Sequence, residues 1–198
     1  MDSRTSLFSF AVPAALVLAG AVLFFQGDKK PSGQEPAKPG EGAMQMPEMP
    51  KPTKEHEWLK GRAGTWDATV NMMGQTSKAT EVNKMLGDFV LLSDFDGAFM
   101  GQPFKGHSVT TYDPMKKKYV STWCDSTAPV LMVMEGTADA SGKTLTLKGM
   151  GPDMQNKLVE YTFQTEVKGP DETTFTMFES SKGAASPMTM RIDYKRRK

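Results

Sequence analysis

The chain has 198 residues, a net charge of +1 and a single cysteine. That length allows one domain with appendages, the near-neutral charge excludes a global field steering nucleic acid or acidic substrates, and Cys124 has no second thiol in the chain to pair with. Sixteen methionines are the unusual count; Met is soft and adaptable, suited to filling an irregular core or lining a cavity.

Residues 1–27 read as a membrane anchor or signal peptide. Leu7 to Phe25 is an uncharged 19-residue stretch, long enough to cross a bilayer, and the apolar run Val22-Leu23-Phe24-Phe25 continues past a small-residue cleavage site at Ala19-Gly20-Ala21. An uncleaved anchor is therefore the first reading and a cleaved signal the competing one. Lys29, Lys30 and Lys38 outnumber Arg4, which by the positive-inside rule favours a cytoplasmic C-terminal side, whereas the short N-terminal tail favours export. The reading adopted is export to the cell envelope, with the membrane met through this segment. Residues 28–52 form a Pro/Gly/Met-rich linker whose composition cannot bury enough apolar surface to fold.

From residue 53 to 198 the composition is that of a folded domain. Thr53 to Lys60 spells one or two helical turns, capped by Thr53 and ended at Gly61 and Gly64. Trp58 and Leu59 give this segment an apolar patch that must be buried, so it is expected to close one end of the strand-rich region after it.

The remainder alternates as half-buried strands do. Trp66, Ala68, Val70 and Met72 share a face opposite Thr65, Asp67, Thr69 and Asn71. Thr80, Val82 and Lys84 continue less cleanly, and Phe89, Leu91, Ser93 and Phe95 make a third strand. Phe104 to Tyr112, Tyr119 to Asp125 and Val130 to Gly136 come next, the last apolar on both faces at its start. Leu145 and Leu147 form a seventh strand, Val159, Tyr161, Phe163, Thr165 and Val167 an eighth, and Phe175 and Met177 a ninth. Met188, Met190, Ile192 and Tyr194 end the series. Asp113-Pro114, Asp139-Ala140-Ser141-Gly142 and Lys168-Gly169-Pro170-Asp171 mark tight turns, and short connections force neighbouring strands to pair antiparallel. The expected fold class is all-β: a single antiparallel up-and-down barrel of about ten strands, whose closure removes exposed edges and leaves room for a small ligand. The rival is a two-sheet sandwich.

Glu55-His56-Glu57-Trp58-Leu59, Gly64-Thr65-Trp66, Tyr112-Asp113-Pro114, Trp123-x-Asp125-Ser126 and Gly142-Lys143-Thr144-Leu145-Thr146-Leu147 occur in this order between about Met49 and Arg197. On these motifs the chain resembles the bacterial domain-of-unknown-function family 1579. The resemblance implies a calycin-like barrel, related in architecture to lipocalins and nitrobindins, and no established activity. It also implies that Gly64 and Trp66 form the barrel base, with a basic residue of the last strand over Trp66. Arg191 and Arg196 are the candidates, and spacing does not choose between them.

The catalytic inventory is thin. There is no nucleophile elbow, no His-Glu-x-x-His and no phosphate-binding loop, and Gly149-Met150-Gly151-Pro152-Asp153-Met154 ends in Met where a dinucleotide fingerprint needs Gly or Ala. No ligand cluster has metal spacing, so neither a catalytic residue nor a metal site is assigned. His56 or His107 could reach the interior as a haem or metal ligand; the blander reading has His56 structural and His107 facing outward. Cys124 has no local His to activate it. Trp123 and Asp125 share a strand face. If that face is interior, Asp125 can orient a polar group of a ligand; otherwise it caps the next turn. The basic runs Lys116-Lys117-Lys118 and Lys195-Arg196-Arg197-Lys198 lack interleaved aromatics, so nucleic acid is not expected as a partner.

The sequence therefore points to a barrel that binds a small hydrophobic molecule without chemistry, with His56, Trp58, Trp123 and Asp125 as candidate ligand contacts. The alternatives are a haem-binding or His-dependent enzyme and a solidly packed interaction module.

Overall fold

The computed structural model describes residues 48–198. The anchor or signal segment and most of the linker lie outside the described residues. The linker's last positions, 48–52, are exposed and without regular structure, and among the described residues no helix is long and apolar enough to cross a membrane.

Thr53 caps a single short helix, α1 (Lys54–Lys60). Ten strands come after it: β1 (Gly64–Met72), β2 (Gln75–Leu86), β3 (Val90–Phe99), β4 (Gln102–Asp113), β5 (Lys118–Asp125), β6 (Ala128–Ala138), β7 (Thr144–Pro152), β8 (Leu158–Gly169), β9 (Glu172–Glu179) and β10 (Met190–Arg196). Each pairs antiparallel with its neighbours in sequence, and β10 pairs with β1 to close the barrel. A sandwich would leave strand edges unpaired. Here every strand has two partners, so no backbone edge is left open.

The turns are built by the residues that announced them. Asp113 Oδ1 accepts from the amides of Met115 and Lys116 at 2.8 and 3.2 Å, and Asp139 Oδ1 accepts from Lys143 and Thr144. Both bend the chain by satisfying amides that a tight turn leaves unpaired. Met73-Gly74 and Met100-Gly101 make turns in which both residues have positive φ, the conformation that matches the twist of a two-residue hairpin.

Alternation fixes which side chains enter the barrel. Trp66, Ala68 and Val70 point inward as expected. On β2 the register places Glu81 opposite Trp66 and Ala79 opposite Ala68. The inward face of β2 is therefore Ala79, Glu81, Asn83 and Met85, while Thr80, Val82 and Lys84 face outward. The last strand starts at Met190, and Met188 belongs to the turn before it.

One end of the barrel is plugged. Leu59 of α1 is fully buried among Leu91, Tyr119, Met134, Leu145, Leu147 and Phe163, a burial worth about 1.5–3 kcal/mol. The Trp58 indole donates to the Gly142 carbonyl at 2.9 Å and meets Tyr119 edge-on at 5.6 Å between ring centroids.

Beside the plug, Trp66 is only 2% exposed and donates its indole N–H to the Arg62 carbonyl at 2.9 Å. The Arg196 guanidinium lies 4.2 Å from its ring centre and that of Arg62 5.3 Å. Arg196 also donates to the carbonyls of Gly61, Ala63 and Pro170. Arg196 is thus the basic residue over Trp66, and Arg191 instead bonds Asp193.

Two outcomes test this architecture. Trp66→Ala is expected to cost roughly 3–5 kcal/mol in denaturant unfolding, as a large aromatic core truncation; a midpoint within error of wild type would mean that the base does not depend on this ring. A chain beginning at Met49 is expected to melt cooperatively, because α1 and the ten strands form a closed barrel with its own core and the described residues 48–52 are exposed; a broad, non-cooperative melt would show that the preceding residues contribute to the core.

Candidate functional site

Ten strands enclose more space than their inward side chains fill. The interior holds a cavity of about 480 Å³, within the roughly 300–1,000 Å³ typical of small-molecule sites. Its wall is mostly apolar: Leu91, Phe95, Phe104, Met132, Phe163, Phe175 and Ile192 contribute from six strands. The barrel is not solidly packed.

The four candidate contacts separate into two groups at opposite ends. His56 and Trp58 belong to α1 at the plugged end. Trp58 lines the cavity, but His56 does not. His56 is 4% exposed, its Nδ1 accepts from the Thr53 amide at 3.0 Å, and its ring packs edge-on against Phe89 and Tyr112. It organises the cap. Trp123 and Asp125 both line the cavity nearer the other end.

The Trp123 indole donates to Asp125 Oδ2 at 3.0 Å, while Asp125 Oδ1 accepts from the Thr127 amide and hydroxyl at 2.8 and 2.6 Å. Asp125 therefore does both things considered from sequence: it faces the interior and it caps the β5–β6 turn. The Trp123 ring lies across Gly106, where an added Cβ would come within 2.2 Å of it; only glycine leaves this space. Cys124 faces outward, its Sγ 3.9 Å from the His107 carbonyl.

Haem or metal ligation by histidine does not fit this interior. No histidine is among the residues lining the cavity. His107 lies outside on β4, with Nδ1 2.8 Å from Asp94 Oδ1. Among the described residues no three His, Cys, Asp or Glu side chains come together.

The polar groups that sequence reasoning missed are at the plugged end. Glu81 Oε1 accepts from Asn83 Nδ2 at 2.9 Å, and Oε2 accepts from the Tyr194 hydroxyl at 2.8 Å. Asn83 Nδ2 also donates to the Arg62 carbonyl at 3.2 Å. Arg62 donates through Nη1 to the Thr173 hydroxyl. All five side chains line the cavity. Glu81 retains some open surface, but that surface faces the cavity rather than bulk water. Burial pushes its pKa above the ordinary glutamate value, against the opposing pull of the hydrogen bonds from Asn83 and Tyr194. Burial, then the neighbouring Glu81, raises the Tyr194 phenol well above its usual range. Burial, then the charge of Arg196, lowers the pKa of Arg62.

β2 hid these residues because Val82 suggested the wrong face. Ala79 and Met85, two residues on either side of the Glu81–Asn83 pair, carried the correct parity. Tyr194 reaches Glu81 across β1, where the register sets Ala68, the smallest inward side chain of that strand, opposite it.

The fold and cavity define a closed antiparallel barrel able to enclose a small molecule. Residues 51–196 match the family described as "Protein of unknown function (DUF1579)", and the chain belongs to that family. No curated protein matches the chain. Among solved structures it is similar to a redesigned β-barrel (17% identity, 73% of this chain and 96% of that one, TM-score 0.40). It is also similar to the redesigned barrel mFAP1 bound to DFHBI (17% identity, 73% and 100%, TM-score 0.39) and to EF1p2_mFAP2b bound to DFHBI (14%, 72% and 99%, TM-score 0.41). At these scores nothing about a ligand or site transfers to this chain.

The raised Glu81 pKa has a pH signature. The folded chain holds this proton to higher pH than the unfolded chain does. Its contribution to stability is therefore fully present below the ordinary glutamate range and is lost as pH rises through the raised folded value. The melting temperature of wild type minus that of Glu81→Gln is expected to fall as pH rises above the ordinary glutamate range. A difference that stays flat as pH rises would show Glu81 to be fully hydrated.

Proposed function

We propose that the protein binds a small, largely apolar molecule inside the barrel and carries or presents it without chemical change. The observation that carries this reading is the cavity, with a mostly apolar wall interrupted by Ser93, Ser108, Thr110 and Ser121, and with polar groups gathered at its sealed base. Binding pockets combine a predominantly apolar wall with a few convergent polar groups. Trp123 and Phe104 are positioned to contact an occupant through their rings, which stack at a centroid distance of 6.4 Å. Trp58 supplies the floor. Access is from the end opposite α1, because Leu59, Trp58 and the Arg196–Trp66 stack seal the near end. At the open end the turns expose Met73, Met100 and Met154, at 49%, 78% and 68% of their surface, an apolar rim compatible with an apolar occupant.

The location proposed for this activity is the cell envelope, with the barrel held to the membrane or exported by the apolar segment at residues 7–25. The support is the length and uncharged character of that segment. A haem-dependent or His-dependent enzyme is disfavoured by the placement of His56 within the cap and His107 on the outer face.

Binding of the neutral fluorescent probe N-phenyl-1-naphthylamine tests the reading. Wild type is expected to bind one equivalent and enhance its emission. Ser108→Phe, which adds a ring to the cavity wall, is expected to weaken binding by about tenfold or more while leaving the β-sheet circular dichroism unchanged. The reading fails if wild type does not enhance the probe, or if the filled variant binds as well as wild type, since the probe would then sit on the outer surface near Leu131 and Val133.

A further inference from the structure

The two ends of the barrel differ in charge as well as in packing. At the α1 end every turn carries an ionic side chain: Asp88 between β2 and β3, Lys116 and Lys117 between β4 and β5, Asp139 and Lys143 between β6 and β7, and Asp171 between β8 and β9. At the opposite end the chain is uncharged through three turns, over residues 68–77, 97–104 and 126–134. The β9–β10 connection is uncharged from 183 to 190. Charges in the turns of that end are mostly engaged locally. Asp153 accepts from the amides of Gln155 and Lys157, and Lys182 pairs with Glu179. Lys157 is the remaining ionic side chain in those turns.

The tips of the same end are apolar at a conformational cost. Met73 and Met100 each stand before glycine in a two-residue turn, at φ of 52° and 51°, where asparagine sits more easily than methionine. Both are exposed, as are Met154 in the β7–β8 turn and Leu158 directly after that turn. Turn geometry calls for no apolar side chain at these positions, and clustered exposed apolar groups mark contact surfaces.

The chemistry of the tips selects what covers them. A protein partner is held through aromatic and arginine anchors in packed pockets, and the five turns of this end contain no Trp, Tyr, Phe or Arg. An anionic membrane or a nucleic acid is held through clustered cations. Flexible thioethers on an uncharged ring suit the headgroup–acyl boundary of a neutral bilayer, which demands neither shape nor charge complementarity. The length of chain is sufficient. Residues 26–53, between the uncharged stretch that ends at Phe25 and the start of α1, extend to roughly 90–100 Å at most. A twelve-residue strand such as β2 spans about 40 Å.

We propose that the end opposite α1 docks on the surface of a neutral phospholipid bilayer, with Met73, Met100 and Met154 set among the lipids and the cavity opening onto them. Met72 and Phe99, which line the cavity, directly precede Met73 and Met100, so an apolar occupant passes between cavity and membrane without crossing water. The docking goes beyond the carrier reading and stands on the turns; only the transfer of an occupant rests on that reading.

The experiment places an environment-sensitive nitrobenzoxadiazole label on the full-length protein at one end or the other, through Met154→Cys or Met115→Cys in a Cys124→Ser background. Met115 is exposed in the β4–β5 turn at the α1 end. With phosphatidylcholine vesicles, the label at position 154 is expected to shift its emission to the blue and to be quenched by doxyl-labelled lipid, and the label at position 115 to do neither. Changing Met73→Asn and Met100→Asn together, which relieves the backbone at both turns, is expected to abolish the shift with the melting temperature kept or raised. If that variant does not fold, the comparison of the two labels decides alone. Equal signals from the two ends would overturn the proposal, because the apolar segment before residue 26 would then account for the membrane contact unaided. A shift that requires phosphatidylglycerol would overturn it in favour of basic side chains, and one that grows with protein concentration without vesicles would overturn it in favour of a second copy. Each of these failures beside intact enhancement of N-phenyl-1-naphthylamine leaves the carrier reading standing. A normal shift at position 154 without that enhancement would uphold the docking and remove the carrier reading.

Discussion

The barrel closes through one junction, β1 against β10, and the Trp66–Arg196 stack pins that junction at its base. The register sets Trp66 directly beside Arg196, so the cation–π contact joins the first strand to the last. The same guanidinium donates to Gly61 and Ala63, in the connection that brings α1 to β1, and to Pro170 in the β8–β9 turn. One side chain therefore ties three parts of the chain that lie far apart in sequence: residues 61–66, the β8–β9 turn and the last strand. Gly64 makes this geometry feasible: its φ is +130°, and a Cβ there would come within 2.5 Å of the Arg196 guanidinium. The Gly-x-Trp at the start of β1 is a steric requirement of the junction as much as a turn signal.

Once the base is sealed, the interior becomes a blind tube. Its upper wall is aromatic and methionine-rich, and its floor carries Arg62, Glu81, Asn83, Thr173 and Tyr194. Putting a carboxyl and a guanidinium on the floor of an apolar tube is unfavourable for folding alone, because hydrophobic residues of similar volume would pack there at no desolvation penalty. Arg62 Nε and Asn83 Oδ1 also lack hydrogen-bond partners, and partly satisfied polar networks inside a protein are destabilising.

Much of the architecture was legible in the sequence because period-two alternation is strong where one face is apolar. Strands β1, β3, β8 and β9 show it, and the turn residues between strands were explicit. Trp66 and the capping role of Leu59 followed from the need to bury large apolar groups beside a strand start. The site was less legible, for a physical reason. β2 is polar on both faces, and its one β-branched apolar residue, Val82, lies outside. A polar residue that faces a cavity gives the same alternation signal as one that faces solvent. Pairing with Trp66 assigns Glu81 to the interior, and a single strand read alone does not reveal its pairing. His56 illustrates the opposite error. A histidine near a barrel mouth suggests a ligand, yet here its ring nitrogen completes the first turn of the cap.

The two ends of the tube give the cavity a direction. At the open end, Met73 and Met100 occupy left-handed backbone positions that glycine or asparagine fills more readily, at a conformational cost of about 1–2 kcal/mol each. Both side chains are exposed in the turns at that end, and neither lines the cavity itself. At the other end the floor gathers Arg62, Glu81, Asn83, Thr173 and Tyr194, while Asp125 places a carboxylate nearer the rim. Polar groups are therefore distributed along the tube, with the hydrogen-bonded set around Glu81 at its base.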